Sequence, residues 1–273
     1  MQALRLIDTW PVETIAAAVV RPDGSIDTTG DQDHKFRIAS VAKTITVWAC
    51  LVAIEEGIVA LDMPVGQPGC TLRHLLCHAG GYGFDGPDPI AKPERNRIYS
   101  NTGIELAAAT VSDAAGMRFA AYLDEAVLHP LGMTSTTLQG SPAHGIRSTA
   151  ADLTRFIVEV RTPTLISAGT KAMATTTHFP DLNGIIPGVG RFAPCPWGLG
   201  FEVRGAKQPH WTGTTNSIAT FGHFGGAGTF MWVDPAVGVA CLALTDRAFD
   251  DWADDALRMW PAFSDAILAE AST

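Results

Sequence analysis

The spacing of apolar and polar positions changes character twice along the chain. Residues 14–20, Thr-Ile-Ala-Ala-Ala-Val-Val, form an apolar run closed by the turn Arg21-Pro-Asp-Gly24, and residues 25–28 resume in extended form. This reads as a short hairpin. Residues 41–56 carry apolar side chains at helical spacing on nearly every face and end at Gly57, which predicts a mostly buried helix with a glycine cap. Helical patterning continues to about residue 175. It covers 72–77, 102–115 ending at Gly116, 119–128 stopped by Pro130, and 149–160 with Ser148 or Thr149 as N-cap. A Gly/Pro-rich stretch over 180–198 follows, and the period becomes two. Residues 199–204, 229–233 and 237–245 read as strands, the last pair joined through Asp234-Pro-Ala. Residues 250–270 read as a closing helix that Pro261 should break or kink.

Strands at both ends of the chain thus flank a helical middle. The economical solution is an α+β fold: one antiparallel sheet built from both chain ends, flanked by helices, with an inserted mainly helical region. On this reading 1–57 and 190–273 form the sheet region and 58–189 the insertion, in one compact unit.

Composition narrows the function classes. The 273 residues are 47% hydrophobic and 17% charged, enough apolar material for one large core or two modest ones, which excludes disorder of the whole chain. A net charge of −9 repels polyphosphates and argues against nucleic acid as a partner. The longest apolar run, 45–54, is far shorter than the roughly 20 residues that cross a bilayer, so no membrane span is expected. The first residues include Arg5 but meet Asp8 and Glu13 before any apolar core develops. That is not a secretory leader, and a cytoplasmic location is expected. Five widely spread cysteines without a C-x-x-C suit reduced, buried thiols.

Three short motifs carry candidate chemistry. Ser40-Val-Ala-Lys43 stands where an extended segment meets the buried helix, and its spacing puts hydroxyl and amine on one helical face. A free serine hydroxyl is a poor nucleophile and needs a base; a helix N-terminus also favours an oxyanion. Tyr99-Ser-Asn101 precedes the helix at 102. With 3 Tyr and four Asn in the chain, chance supplies about 0.04 such triplets. A neighbouring ammonium should lower the Tyr99 phenol and let it take the Ser40 proton. Gly222-His-Phe-Gly-Gly-Ala-Gly228 lies just ahead of the strand at 229, where glycines at 225, 226 and 228 let a backbone N–H approach a ligand. Each motif alone has a plainer reading: a serine cap beside a surface lysine, a loop fixed by Tyr and Asn, and a glycine turn.

Taken in order, Ser40-x-x-Lys43, Tyr99-x-Asn101 and His223-x-Gly225 resemble the three signature motifs of the serine β-lactamase-like superfamily. That group includes class C β-lactamases, penicillin-binding DD-peptidases, family VIII esterases and D-aminopeptidases. The connecting segments at 72–81, 99–106, 131–134 and 148–156 resemble it too, and the likeness spans roughly 15–260. The resemblance implies the β-lactamase/transpeptidase-like fold and an acyl-enzyme mechanism. In it Ser40 attacks a carbonyl, Lys43 and Tyr99 handle its proton, and Asn101 positions substrate. The N–H groups of Ser40 and Gly226 bind the oxyanion, and His223 and Gly225 line the substrate side. No cofactor or metal is called for, and the expected partner is a small-molecule acyl substrate.

The third motif departs from the pattern that members use for substrate carboxylates, a lysine followed by a hydroxyl residue. His223 and Phe224 make a weaker anion site, so uncharged ester or amide substrates are expected ahead of β-lactams or D-peptides. A non-catalytic binding or regulatory protein on the same fold is the alternative. Cys70, His74, Cys77 and His78 have the residue types of a zinc site, but four ligands crowded on one short helical stretch cannot converge tetrahedrally. Trp197, in its Gly/Pro-rich loop, is a candidate wall for an acyl pocket, with Trp211, Trp232 and Trp252 more simply core.

Overall fold

The computed structural model describes residues 1–271; the last two residues of the sheet region expected over 190–273 lie outside the described residues. In chain order the strands are β1 (Ile15–Val20), β2 (Ile26–Gly30), β3 (Phe36–Arg37), β4 (Arg97–Ile98), β5 (Thr137–Leu138), β6 (Ile146–Ser148), β7 (Gly184–Ile186), β8 (Gly190–Phe192), β9 (Glu202–Val203), β10 (Phe221–Gly225), β11 (Thr229–Asp234) and β12 (Val239–Thr245). The helices are α1 (Ala42–Glu55), α2 (Leu72–Leu76), α3 (Asn101–Ala115), α4 (Phe119–Leu123), α5 (Ala150–Arg161), α6 (Ala168–Thr175) and α7 (Ala253–Ala271).

The central sheet has six strands in the order β2-β1-β12-β11-β10-β9, antiparallel at every pairing. Its strands come from both ends of the chain, as expected. Burial explains why β1 and β12 are continuous apolar runs rather than alternating ones: both faces of the sheet are covered. Ala16, Ala18, Leu242 and Leu244 face the core around α1, whereas Ala17, Val19, Cys241 and Ala243 face a second core built with α7 and the N-terminal turn. Helix α1 is walled in on all sides, with residues 42–53 all buried, and is apolar on nearly every face, Lys43, Thr44 and Thr46 excepted.

Local chemistry sets the helix ends. The Ser100 hydroxyl accepts the Gly103 N–H at 2.9 Å to open α3, and Gly116 closes it at φ +67°. Thr149, rather than Ser148, caps α5 by accepting the Asp152 N–H.

Three expectations are corrected. The strand expected over 199–204 is only Glu202–Val203, because residues 198–201 turn sharply with Gly200 at φ +76°. The glycine-rich segment at 222 is not a turn ahead of a strand but a strand itself, β10, hairpinned to β11 through the turn at 226–228. Pro261 neither ends nor interrupts α7, which runs on through it. Helix α6, over Ala168–Thr175, lies within the stretch expected to be helical to about 175 but matches none of the segments named in it.

Candidate active site

Ser40 sits in the single turn Ala39–Val41 that leads from β3 into α1. Ala39 holds φ +43°, a left-handed backbone that costs a non-glycine residue about 1–3 kcal/mol and here swings the chain sharply into the helix. The end of β10 presses against this turn. A Cβ on Gly225 would stand 2.4 Å from the Ile38 carbonyl oxygen and 3.1 Å from the Ser40 nitrogen, so only glycine permits the approach.

Lys43 lies one turn along α1 on the face of Ser40 and has no solvent exposure. Its Nζ donates to Ser40 Oγ at 3.1 Å, Asn101 Oδ1 at 2.6 Å and the Ala143 carbonyl at 3.1 Å. All three are neutral oxygens. With no carboxylate in contact, burial pulls the Lys43 ammonium down from 10.5 to about 7, opposed only by the more distant charges of Glu105 and Asp85.

Asn101 is the first residue of α3, and its amide is engaged at both ends, Oδ1 by Lys43 and Nδ2 by Asp85 at 3.0 Å. The side chain expected to position substrate therefore holds the amine. Tyr99 lies across the cleft, its ring 4.7 Å below Lys43 Nζ and packed against His78, Trp197 and Phe84. The expected lowering of its phenol is overturned. Burial pushes Tyr99 above its usual value, and the hydrogen bond with Ser40 offsets only part of that, so Tyr99 keeps its proton at neutral pH.

The Tyr99 hydroxyl reaches His223 Nε2 at 3.4 Å. His223 Nδ1 is 2.6 Å from the Phe224 carbonyl, which can only accept, so the proton is on Nδ1 and the Nε2 lone pair faces Tyr99. Burial, reinforced by Lys43, lowers His223 to about 4, which leaves it neutral. Lys43, Ser40, Tyr99 and His223 form one polar chain, and all the sequence-predicted residues, Gly225 and Gly226 included, meet here.

The chain opens into a cavity of about 170 Å³ whose floor is Ser40, Tyr99 and His223 and whose apolar wall is Phe84, Ile186, Pro187 and Trp197. Trp197 thus lines the cleft, while Trp211, Trp232 and Trp252 belong to the core under α7. A second cavity of about 390 Å³ shares Phe84, Tyr99 and Pro187 with the first and continues past Ile98 and Ile185 to Arg191.

Several site residues were not legible in the sequence. Asp85 and the Ala143 carbonyl reach Lys43 or Asn101 from loops with no motif around them. Glu202, at the base of the cavity, did leave a signal: a lone carboxylate in the otherwise apolar run Trp197-Gly-Leu-Gly-Phe-Glu-Val. The zinc-like residues serve structure. His74 closes the capping box of α2 with Thr71 and pairs with Glu94 at 2.9 Å, and His78 Nδ1 accepts the Ser100 N–H. The five cysteines are buried and free. Among the described residues no helix is long and apolar enough to cross a membrane.

Known proteins of this shape fit the same picture. The chain superposes on a β-lactamase structure from Mycobacterium bovis with a TM-score of 0.96 and 47% identity, over 99% of this chain and 100% of the other. It is 23% identical to the esterase EstB of Burkholderia gladioli over 80% of this chain and 79% of that protein. A penicillin-binding protein of Bacillus subtilis matches at 28% identity, over 37% of this chain and only 30% of the relative's length. With the sheet, the inserted helices and the Ser40 cleft in place, and the Beta-lactamase family model matching residues 12–262, the chain belongs to the β-lactamase family.

Proposed function

We propose that the protein is a serine hydrolase that cleaves an ester or amide through an acyl-enzyme on Ser40. The observation that carries this reading is the 3.1 Å contact between the Ser40 hydroxyl and a buried amine held at about 7. A general base works best when its pKa lies near the operating pH. Slightly above neutrality Lys43 is largely uncharged, and its lone pair takes the Ser40 proton as Oγ attacks the carbonyl carbon. The carbonyl oxygen becomes an oxyanion held by the backbone N–H groups of Ser40 and Gly226, at the N-terminal end of α1. The Lys43 ammonium then returns a proton through the Tyr99 hydroxyl to the leaving group. Its bond to the carbonyl carbon breaks, and Ser40 carries the acyl ester. Water attacks that ester with Lys43 again as base, which frees the acid and restores the serine.

His223 supports an uncharged group at the third motif. Neutral, and with its proton committed to Phe224, it offers no cation to a substrate carboxylate on that side. The apolar wall of Phe84, Ile186, Pro187 and Trp197 suits an apolar acyl or alcohol group, and the relationship to EstB points the same way. Ester hydrolysis therefore ranks ahead of β-lactam hydrolysis, even though the structure from Mycobacterium bovis is described as a β-lactamase.

The test is a fluorophosphonate probe followed by mass spectrometry, with p-nitrophenyl butyrate and nitrocefin as substrates. The expected result is labelling on Ser40, none in Ser40→Ala, and faster turnover of the ester. Absence of label in the wild type sinks the hydrolase reading; faster nitrocefin turnover reverses the substrate ranking.

A further inference from the structure

Beyond Gly226, on the side away from Phe84 and Trp197, lies a separate pocket of about 250 Å³. Its near wall is the edge of the small sheet β3-β6-β5, where Arg37 is directly opposite Arg147. Phe36 and Ile146 turn inward, so the two guanidinium groups share the outer face, and Lys35 adds a third cation to the same pocket. Like charges set directly across a strand pair destabilise it. Among the described residues no carboxylate lies within 4.0 Å of any of these cations, although acidic residues outnumber basic ones 28 to 19 in the chain. Asp246, on the far wall, is the lone acid of the pocket. The arrangement inverts the charge of the molecule locally without neutralising it, and paired guanidinium forks match the geometry of carboxylate and phosphate oxygens.

The pocket and the Ser40 cleft have Gly226 in common, and the space where its Cβ would stand is empty to 4 Å. A ligand can therefore pass from one to the other across bare backbone at the turn that offers the candidate oxyanion N–H. One side of the scissile position is mainly apolar, with Glu202 and Asp250 as its acids, and the other is mainly cationic, with Asp246 as its acid.

We propose that the substrate joins an apolar half, seated between Phe84 and Trp197, to a half that ends in an oxyanion, a carboxylate or a phosphate, held by Arg37 and Arg147. This rests on the hydrolase reading and sharpens it. The anion that His223 cannot hold is read from the opposite side of Gly226.

The test compares hexanoyl esters of propanediol, hydroxypropanoate and hydroxypropyl phosphate, which differ in their terminal group, and hexyl butyrate with hexyl glutarate, which reverses the ester. The expected result is an anionic ester preferred by about tenfold in kcat/KM, carried mainly by KM and weakened by salt. The preferred member of the first set separates phosphate from carboxylate. In Arg37→Gln/Arg147→Gln the preference disappears while neutral-ester turnover and Ser40 labelling stay unchanged, and Tm does not fall, because a repulsion has been removed. Equal rates within both sets, or a preference that survives in the double variant, overturn the proposal. If Ser40 is never labelled, the hydrolase reading fails by itself, and nuclear magnetic resonance titration with glutarate and inorganic phosphate reads the pocket directly. Saturable shifts at Arg37 and Arg147 support it, and their absence overturns it.

Discussion

Lys43 and Lys207 are both shut away from solvent, at 0% and 3% exposure, yet they are built in opposite ways. Lys207 has a carboxylate: its Nζ is 2.8 Å from Glu202 Oε1 and also donates to the Val203 carbonyl. Glu202 is in turn held by His210 Nε2 and by the Trp211 indole N–H, each at 2.8 Å, and the nearby Lys207 and His210 keep it well below the usual carboxylate range in spite of its burial. Lys43 has three oxygens around it and no counter-ion in contact. The first arrangement stabilises two charges as a fixed pair; the second makes the charged form of the amine unfavourable. What lowers a buried lysine, and suits it to the base role proposed for Lys43, is the withholding of an acid, at a cost in stability that the rest of the fold absorbs.

The sharpest way to break this comparison is to remove the amine itself. Lys43→Met should lower ester turnover by about 10³- to 10⁴-fold in steady-state assays, and rates within tenfold of the wild type would mean that Lys43 is not the base. The converse change, Glu202→Gln, leaves Lys207 buried without its counter-ion and should cost about 3–5 kcal/mol in urea denaturation. A loss below about 1 kcal/mol would show that the pair contributes little.

The pH dependence of stability tests the Lys43 side of the comparison next. Lys43 is held below its unfolded value, so the unfolded chain binds the extra proton and stability rises with pH between about 7 and 10.5. Going from pH 9 to pH 7, the wild type should lose about 2–3 kcal/mol relative to Lys43→Met. His223 adds a second acid-side loss in a separate window, from 6.5 down to about 4. A pH-independent difference between the two proteins would show that Lys43 is protonated in the fold. The smallest effect concerns Glu105, whose charge raises the Lys43 value. Glu105→Gln should move the acid limb of the kcat/KM profile, set at about 7 by Lys43, to lower pH by a few tenths of a unit; a shift to higher pH would contradict the assignment.

The fold was legible where local patterning and burial agree. The β1–β2 hairpin, the buried α1, the cap at Gly116 and, to within one residue, the cap at Thr149 were readable because each rests on residues close in sequence. The strand β10 was not, since Gly222-His-Phe-Gly-Gly reads as a turn by composition and becomes a strand only because β9 and β11 supply hydrogen bonds on either side. Continuity of α7 through Pro261 was hidden for a related reason: Trp260, Phe263 and Ile267 bury the helix on both sides of the proline.

The sequence by itself determined which groups are available: a serine and a lysine one helical turn apart, a tyrosine and an asparagine at a helix start, and glycines where two backbones must touch. These are properties of spacing, and spacing survives without coordinates. Only the tertiary structure decided what the groups are. It withheld a carboxylate from Lys43 and granted one to Lys207, it raised the Tyr99 phenol that spacing alone had suggested would fall, and it turned Asn101 toward the amine. It also set Arg37 opposite Arg147, 110 positions away, in the pocket that shares Gly226 with the cleft. Protonation and the juxtaposition of like charges depend on burial and on neighbours distant in the chain, and those exist only once the sheet has closed.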